Sequence, residues 1–255
     1  MQRLDQLIVT RGLITSRTRA QRLIKHGRVF LTDANGQRLK GLTRPGEKLP
    51  SDVLLEVELD EEERYVSRAG LKLEGLLTLA GLDIHGMTLL DIGQSTGGFT
   101  DCALRHGAAR VIGIEVGHGQ LDPSLRQDDR VVCMEGINAR DLPHEAVLAQ
   151  APNGIDGAMM DVSFISQTLI LPSLSPLLSE GGHLLTLVKP QFELTREAIN
   201  GKGLVRDPAL YADVEKRIRD CCHTVGLNVQ CWYESPIKGG DGNREFILHA
   251  IKRSE

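Results

Sequence analysis

The segment Asp91-Ile92-Gly93-Gln94-Ser95-Thr96-Gly97-Gly98-Phe99-Thr100 follows the apolar run Met87-Thr88-Leu89-Leu90 and combines an acid, glycines and hydroxyl side chains. It reads as a buried strand that breaks into a glycine loop and opens a helix, where backbone approaches a ligand closely and unpaired N–H donors are on offer. The spacing departs from the dinucleotide fingerprint G-x-G-x-x-G, because Ser95 stands at the second glycine position. From Gly93 to Gly97 it matches G-x-S-x-G, the elbow that presents a serine nucleophile in α/β-hydrolases. Asp91 at the strand end suits a cationic ligand such as the sulfonium of S-adenosylmethionine better than an anionic pyrophosphate. On this loop alone a methyl-donor cradle, a serine nucleophile and a plain strand-to-helix turn all stay open.

Further chemistry-bearing residues recur downstream. Glu115 closes the run Val111–Glu115 about twenty residues past the loop, where an acid can bind two ribose hydroxyls. Asn138, in Asn138-Ala139-Arg140-Asp141, offers an amide to an adenine edge. Asp161 and Lys189 end two more apolar runs, and Pro190 stops the second just behind the lysine. A lysine there needs a charge partner, which Asp161 can supply from one strand over. Lys72, early in the preceding helix, and Glu245, on the last strand, are within reach of the same pocket, with two ordinary surface ion pairs as the alternative. Methyl transfer to a hydroxyl needs the alcohol proton removed as the methyl carbon arrives, and a lysine desolvated beside a second ammonium can act as that base. The chain has no Asn-Pro-Pro-Tyr-like stretch for an exocyclic amine and no Pro-Cys pair for attack on a pyrimidine ring, so oxygen is the expected acceptor.

These positions demand a particular frame. Strands are expected at Leu89–Ile92, Val111–Glu115, Val131–Met134, Gly157–Asp161, His183–Lys189, Val229–Glu234 and Glu245–Ile251. Helices are expected near Leu71–Ala80, Gly98–His106, Gln167–Leu178 and Pro208–Val225. Alternating strands and helices argue for a parallel sheet covered on both faces. The loop Ser235–Arg244 leaves no room for a crossover helix, so the last two strands must be antiparallel. Six parallel strands and one antiparallel strand form the Rossmann-like methyltransferase arrangement, which supports the cofactor reading independently of the loop.

The net charge of −4 conceals an asymmetry. Residues 1–50 carry eleven Lys or Arg against three acids, a balance of +8 that leaves −12 for the remainder. A basic module for a polyanion joined to an acidic body is the expectation. Within it, Leu4, Leu7 and Ile8 lie on one short helix; Thr15 or Ser16 caps a second, Ser16–His26, whose Arg17, Arg19, Arg22 and Lys25 point outward. A strand at Val29-Phe30-Leu31, turns at Asp33–Gly36 and Arg44–Gly46, and a closing strand at Val53–Leu59 complete a small α+β domain.

Arg3-Leu4-Asp5, Ser16-Arg17-x-x-Ala20-x-x-Leu23-Ile24-x-x-Gly27-x-Val29 and Pro45-Gly46 resemble the RNA-binding module named after ribosomal protein S-four. That resemblance implies RNA contacts from Arg3, Arg11, Arg17, Arg19, Arg22, Lys25 and Arg28. The segment Thr32–Gly36 is longer than the Val-Asn-Gly turn usual there. Ser67-Arg68-Ala69-Gly70-Leu71-Lys72-Leu73, the glycine loop, Gly117–Leu121, Asn138–Arg140, Asp161–Ser166, Leu187–Glu193 and Gly242-Asn243-x-Glu245 resemble the TlyA (hemolysin A) family, related to the FtsJ methyltransferases. The resemblance spans nearly the whole chain and implies an S-adenosylmethionine-dependent ribosomal RNA 2′-O-methyltransferase. It implies a catalytic tetrad of Lys72, Asp161, Lys189 and Glu245, and a donor site from Asp91, Gly93, Ser95, Thr96, Gly97, Gly98, Phe99, Glu115, Asn138 and Asp161. Two positions depart from the pattern: Gln94 replaces the usual alanine and Glu115 the usual aspartate.

The expected organisation is an RNA-binding domain over residues 1–60, a linker over 61–66 and an FtsJ-like methyltransferase domain over 67–255. A chain of 255 residues can bury more than one core. No apolar run approaches the ~18–20 residues of a membrane helix, and the N-terminus lacks a signal-peptide core, so a cytoplasmic, monomeric protein is expected, with no membrane partner and no pore. The five cysteines form no C-x-x-C pair and are expected to be reduced thiols, with no metal. Two other function classes stay in view: a non-catalytic RNA-binding assembly factor, and a serine hydrolase built on Ser95.

Overall fold

The computed structural model describes residues 1–14, 16–59, 64–235, 237 and 242–254. Thr15, residues 60–63, which include the start of the expected linker, residues 236 and 238–241 of the last loop, and residue 255 lie outside these. Contacts divide the chain into two units, one built on Met1–Arg64, the other on Tyr65–Leu121 and Leu125–Glu255.

The first unit runs β1 (Gln2–Arg3), α1 (Leu4–Thr10), α2 (Arg17–Lys25), β2 (Val29–Thr32), β3 (Arg38–Leu42), β4 (Lys48–Leu49) and β5 (Leu55–Val57). Leu4, Leu7 and Ile8 of α1 and Ala20, Leu23 and Ile24 of α2 recur at helical spacing and close on Val29 and Leu42. Ser16 caps α2, its Oγ accepting from the Arg19 N–H at 3.3 Å. Strand β2 pairs antiparallel with both β3 and β5, and β1 pairs with β4. Strand β3 was not expected: Arg38 through Gly41 are all exposed, so the segment lacks the apolar alternation that marks a half-buried strand. The closing strand is confined to Leu55–Val57 instead of Val53–Leu59. Asp5, although on α1, is fully buried; it accepts from Arg3 at 3.0 Å, Gln21 at 2.7 Å and Arg17 at 2.9 Å. The Arg3 guanidinium above all holds this carboxyl well below the usual carboxylate range, against the opposing effect of burial.

The second unit follows with α3 (Ala69–Ala80), β6 (Thr88–Ile92), α4 (Gly98–Arg105), β7 (Arg110–Glu115), α5 (Pro123–Arg126), β8 (Val131–Glu135), α6 (His144–Leu148) and β9 (Gly157–Met160). After these come α7 (Leu171–Leu174), β10 (His183–Val188), α8 (Pro190–Glu193), α9 (Leu210–Thr224), β11 (Leu227–Glu234) and β12 (Phe246–Lys252). The seven strands form one sheet in the order β11-β12-β10-β9-β6-β7-β8. Strand β12 is antiparallel to both neighbours, and the pairings among β6 to β10 are parallel. The helices cover both faces, with one core against β6, β7, β9 and β10 from each side. Tyr65 is buried in the second of these cores, its ring against Gly70, and the Val66 N–H donates to Asp101 at 2.8 Å.

The single helix expected over Gln167–Leu178 is broken into a 3-10 turn at Gln167–Leu169, α7, and a second 3-10 turn at Ser175–Leu177. Pro172 and Pro176 each remove an N–H donor and fix φ, which permits a helix start but not a continuous ladder. Helices α5 and α6, of four and five residues, are too short to leave a periodic signal.

Candidate active site

Strands β6, β7, β9 and β10 are parallel neighbours, so their carboxyl ends open along one edge of the sheet. Chain direction across the sheet reverses between β6 and β9, and ligands of open α/β sheets settle in the crevice at such a switch point. A cavity of about 650 Å³ lies there. It is lined by Asp91, Gly93, Ser95, Thr96, Gly98 and Phe99 from the β6 loop, by Glu115 and Asn138 from the next two strand ends, and by Asp161 and Lys189.

The loop holds its shape through three left-handed residues, Gly93 (φ 81°), Ser95 (φ 47°) and Gly97 (φ 92°). A side chain at Gly93 would meet Val162 at 3.1 Å, and one at Gly97 would drive into Leu125 at 2.4 Å. Gly97 therefore backs the loop and does not line the cavity. Ser95 is the only one of the three with a side chain; its N–H donates to Glu115 Oε2 at 2.8 Å and its Oγ to Gln120 at 3.3 Å. Neither contact activates a nucleophile. A hydrolase would need a histidine on a late loop, whereas His249 lies on β12, buried against His183 at 3.0 Å. His183 begins β10 while Lys189 follows its other end, about 20 Å away along the strand. The geometry does not support Ser95 as a nucleophile.

Asp91 is 1% exposed, yet it lines the cavity. Its Oδ2 accepts from Thr100 Oγ1 at 2.6 Å, and that hydroxyl accepts from Gln94 Nε2 at 3.0 Å. Burial pushes this carboxyl up to about 7, with the charges of Asp161 and Glu115 adding to the effect against the Thr100 hydrogen bond. Glu115 uses both oxygens on backbone: Oε2 takes the Ser95 N–H, and Oε1 takes the Gly117 N–H at 2.8 Å. Each oxygen retains a second lone pair, so the carboxylate can still accept two hydroxyl donors. The buried amide oxygen of Gln94 has no hydrogen-bond partner, and its side chain fills the space over Gly113, where a Cβ would fall 2.0 Å from it. Asn138 is exposed and its Oδ1 accepts from the Arg140 N–H at 3.1 Å.

The expected tetrad resolves into two ion pairs. Lys189 Nζ lies 2.6 Å from Asp161 Oδ1 and donates to Ser163 Oγ at 3.0 Å, at the rim of the cavity. Lys72 Nζ lies 2.5 Å from Glu245 Oε2, with both groups buried and neither among the residues that line the cavity. These are not the surface pairs weighed as the alternative. The ladder Val188↔Phe246 explains their proximity in the fold, because Lys189 and Glu245 are the next residues beyond it on facing strands.

Two residues lie in segments matched at the sequence level but are given no role there. Phe164 is 90% exposed, holds φ 65°, lines the cavity beside Ser163, and packs its ring on Phe192 at 4.9 Å between centroids. An exposed aromatic in a left-handed conformation is a signal of function that only structure reveals. Glu193, buried, is the second. In the first unit, Arg3 and Arg17 are engaged by Asp5, Arg11 donates to the carbonyls of Ser51 and Val53, and Arg28 pairs with Glu58 at 2.7 Å, while Lys25 is exposed. Among the described residues no cluster of three His, Cys, Asp or Glu could hold a metal, and no helix is long and apolar enough to cross a membrane.

Comparison with known proteins gives two family matches: FtsJ-like methyltransferase over residues 65–252 and S4 domain over residues 2–40. The chain is 47% identical over 249 residues to the "Putative rRNA methyltransferase YqxC" of Bacillus subtilis, covering 97% of this chain and 85% of that one. It is 38% identical over 253 residues to the "16S/23S rRNA (cytidine-2'-O)-methyltransferase TlyA" of Mycobacterium tuberculosis, covering 96% and 88%. Among solved structures, the "Putative hemolysin from Streptococcus thermophilus" superposes with a TM-score of 0.74 at 41% identity, covering 100% of this chain and 89% of that one.

Proposed function

The chain belongs to the TlyA (hemolysin A) family of FtsJ-like methyltransferases, and we propose that it transfers the methyl group of S-adenosylmethionine to the 2′-hydroxyl of a ribose in ribosomal RNA. The observation that carries this is the Asp161–Lys189 pair at the rim of a glycine-loop cavity that also holds the Asp91 and Glu115 carboxylates. S-adenosylmethionine supplies an activated methyl on a cationic sulfonium. The residues present fit such a group: Gly93 and Gly98 line the cavity without side chains, and Asp91 and Glu115, with Asp161 already paired to Lys189, favour a cation over an anion. Glu115 would hold the donor's ribose hydroxyls, Asn138 its adenine edge, and ionised Asp91 its positive end.

Lys189, once its ammonium has released one proton to solvent, is the amine that takes the acceptor's proton, while Asp161 and Ser163 fix its Nζ. Lys72 and Glu245 complete the tetrad from behind, as a buried pair that sets the field around Lys189 without touching the acceptor. Phe164 offers an aromatic face to the base whose ribose is methylated, in keeping with RNA recognition through unstacked bases. The 2′-hydroxyl is the group that separates RNA from DNA. The basic first unit, with the arginines and Lys25 of α2, grips the polyanion that an acidic catalytic unit would otherwise repel. A ribosomal RNA substrate puts this work in the cytoplasm.

The test is labelled-methyl transfer to ribosomal subunits, assembled ribosomes and bare rRNA. Label enters RNA with the parent protein and with Ser95→Ala, and is lost with Lys189→Ala while donor binding persists. Full transfer by Lys189→Ala would sink the assigned base. A parent protein that binds RNA but no donor would indicate an assembly factor.

A further inference from the structure

The β9–β10 ladder ends at Met160↔Thr186, before either of the residues that meet at the site. Beyond it, the loop after β9 carries Asp161, Ser163 and Phe164, and the turn after β10 carries Lys189 and Phe192. Each segment has a main-chain anchor elsewhere, the Asp161 N–H on the Ile92 carbonyl of β6 at 3.3 Å and β10 on β12 as far as Val188, but among the described residues no main-chain hydrogen bond joins the two segments to each other. The link between them is made by side chains, and one of these is a carboxylate the mechanism does not use.

Glu193 closes α8, is 4% exposed, and does not line the donor cavity. Its Oε2 accepts from Ser166 Oγ at 2.5 Å and its Oε1 from the Gln167 N–H at 2.8 Å. Gln167 in turn donates from Nε2 to the Leu187 carbonyl of β10 at 2.5 Å. The backbone carbonyl of Glu193 takes the Arg217 guanidinium of α9, and the Phe192 N–H donates to the Lys189 carbonyl at 2.9 Å, making a short turn between lysine and carboxylate. Burial pushes the Glu193 carboxyl up. A carboxyl taken out of water at such cost, with both oxygens spent on one neighbouring loop, acts as a brace.

We propose that Glu193 is a positioning residue for methyl transfer, clamping the loop of Ser163 and Phe164 to the turn of Lys189 so that the acceptor base and the proton-taking amine keep one relative placement. The inference rests on the function proposed above and deepens it. Glu193 itself lies outside the cavity, and the groups proposed to hold the donor, Asp91, Glu115 and Asn138, come from other strand ends, so donor binding is expected to persist without the clamp. The step it controls is how often an acceptor hydroxyl meets Lys189 in line.

The experiment compares Glu193→Ala, Glu193→Gln and Ser166→Ala in the full chain. It uses three readouts: S-adenosylmethionine binding by calorimetry, single-turnover methyl transfer to rRNA, and amide hydrogen exchange over residues 163–168. Glu193→Ala is expected to bind the donor as the parent does and to lose on the order of 10–100-fold in transfer, the cost of a misplaced reacting group. Exchange is expected to quicken at Ser166 to Thr168 and not across the sheet. Glu193→Gln is expected to recover most of the rate, since the amide can accept from Gln167 N–H and donate to Ser166 Oγ. Ser166→Ala removes one arm and carries the test should Glu193→Ala fail to fold, with an intermediate loss expected. Parental transfer rates in the folded variants, or donor binding lost in step with rate, would overturn the proposal. If the parent protein transfers no methyl group, the functional reading falls on its own. The clamp is then judged by exchange alone, and unchanged protection at residues 166–168 in Glu193→Ala would remove it.

Discussion

Asp91→Asn should make the catalytic unit more stable and its donor site worse. The carboxyl moves from 3.8 to about 7 on folding, because burial disfavours its charge. At 1.36 kcal/mol per pKa unit, keeping it ionised above pH 7 costs about 4 kcal/mol. The sign follows from proton uptake: between about pH 4 and pH 7 the native state binds this proton more tightly than the unfolded chain, so stability falls as pH rises through that window and levels off above it. Asparagine resembles the neutral form and can still accept from Thr100. Asp91→Asn is therefore expected to match the parent near pH 4, to exceed it by up to about 4 kcal/mol at pH 8, and to lose the slope between. Trp232 is the only tryptophan and lies on β11, so urea unfolding followed by its fluorescence reports the catalytic unit alone. Donor binding has the opposite dependence. A cationic ligand favours ionised Asp91, so parental affinity should weaken by about tenfold per pH unit below 7, while the asparagine variant binds weakly at every pH. An asparagine variant that is less stable at pH 8, or that keeps the parental slope, would refute the reasoning.

Lys72→Met strands Glu245 in the core and should cost about 3–5 kcal/mol in the same unfolding assay, whereas adding Glu245→Leu should return much of that stability without returning methyl transfer. Phe164→Ala should leave unfolding unchanged, since the ring is exposed, and should reduce transfer to rRNA on the order of tenfold through weaker RNA engagement, measured as a raised rRNA KM. Asp5→Ala removes the carboxylate that joins Arg3 and Arg17. Hydrogen exchange on α1 should show a loss of about 1–3 kcal/mol at neutral pH that shrinks as pH falls below about 4, because the unfolded chain then takes up a proton that the native carboxylate, held well below the usual range, still refuses.

The parts of this protein that the sequence discloses are those where one physical effect dominates. Strands β6, β7, β9 and β10 are buried on both faces, so they appear as short apolar runs, and a charged residue at the end of such a run has few reasons to be there. Asp91, Glu115, Asp161 and Lys189 could be singled out for that reason. Strand β3 escapes because its residues face water. The segment 167–178 misleads because its apolar spacing is helical while its prolines forbid a continuous helix. Phe164 looks like a core residue by type, and nothing local predicts its left-handed backbone or its exposure. Asp161 was legible as the partner of Lys189 because both close apolar runs one strand apart, whereas the pairing of Lys72 with Glu245 is non-local, across 173 positions.

Strand β12 adds a temporal consequence. It slots between β10 and β11, two strands made before it, and carries in with it the neighbourhood of Glu245, the sole ion-pair partner recorded for Lys72 among the described residues, 173 positions upstream. During synthesis the ammonium of Lys72 has no counter-charge waiting, so the α3 face of the sheet cannot seal around it until the strand arrives. Until β12 is inserted, the sheet lacks the strand that joins β10 to β11, and the charge constellation is incomplete. An enzyme that works on ribosomal RNA gains from this order: a partly made chain still on its own ribosome does not yet hold a finished site.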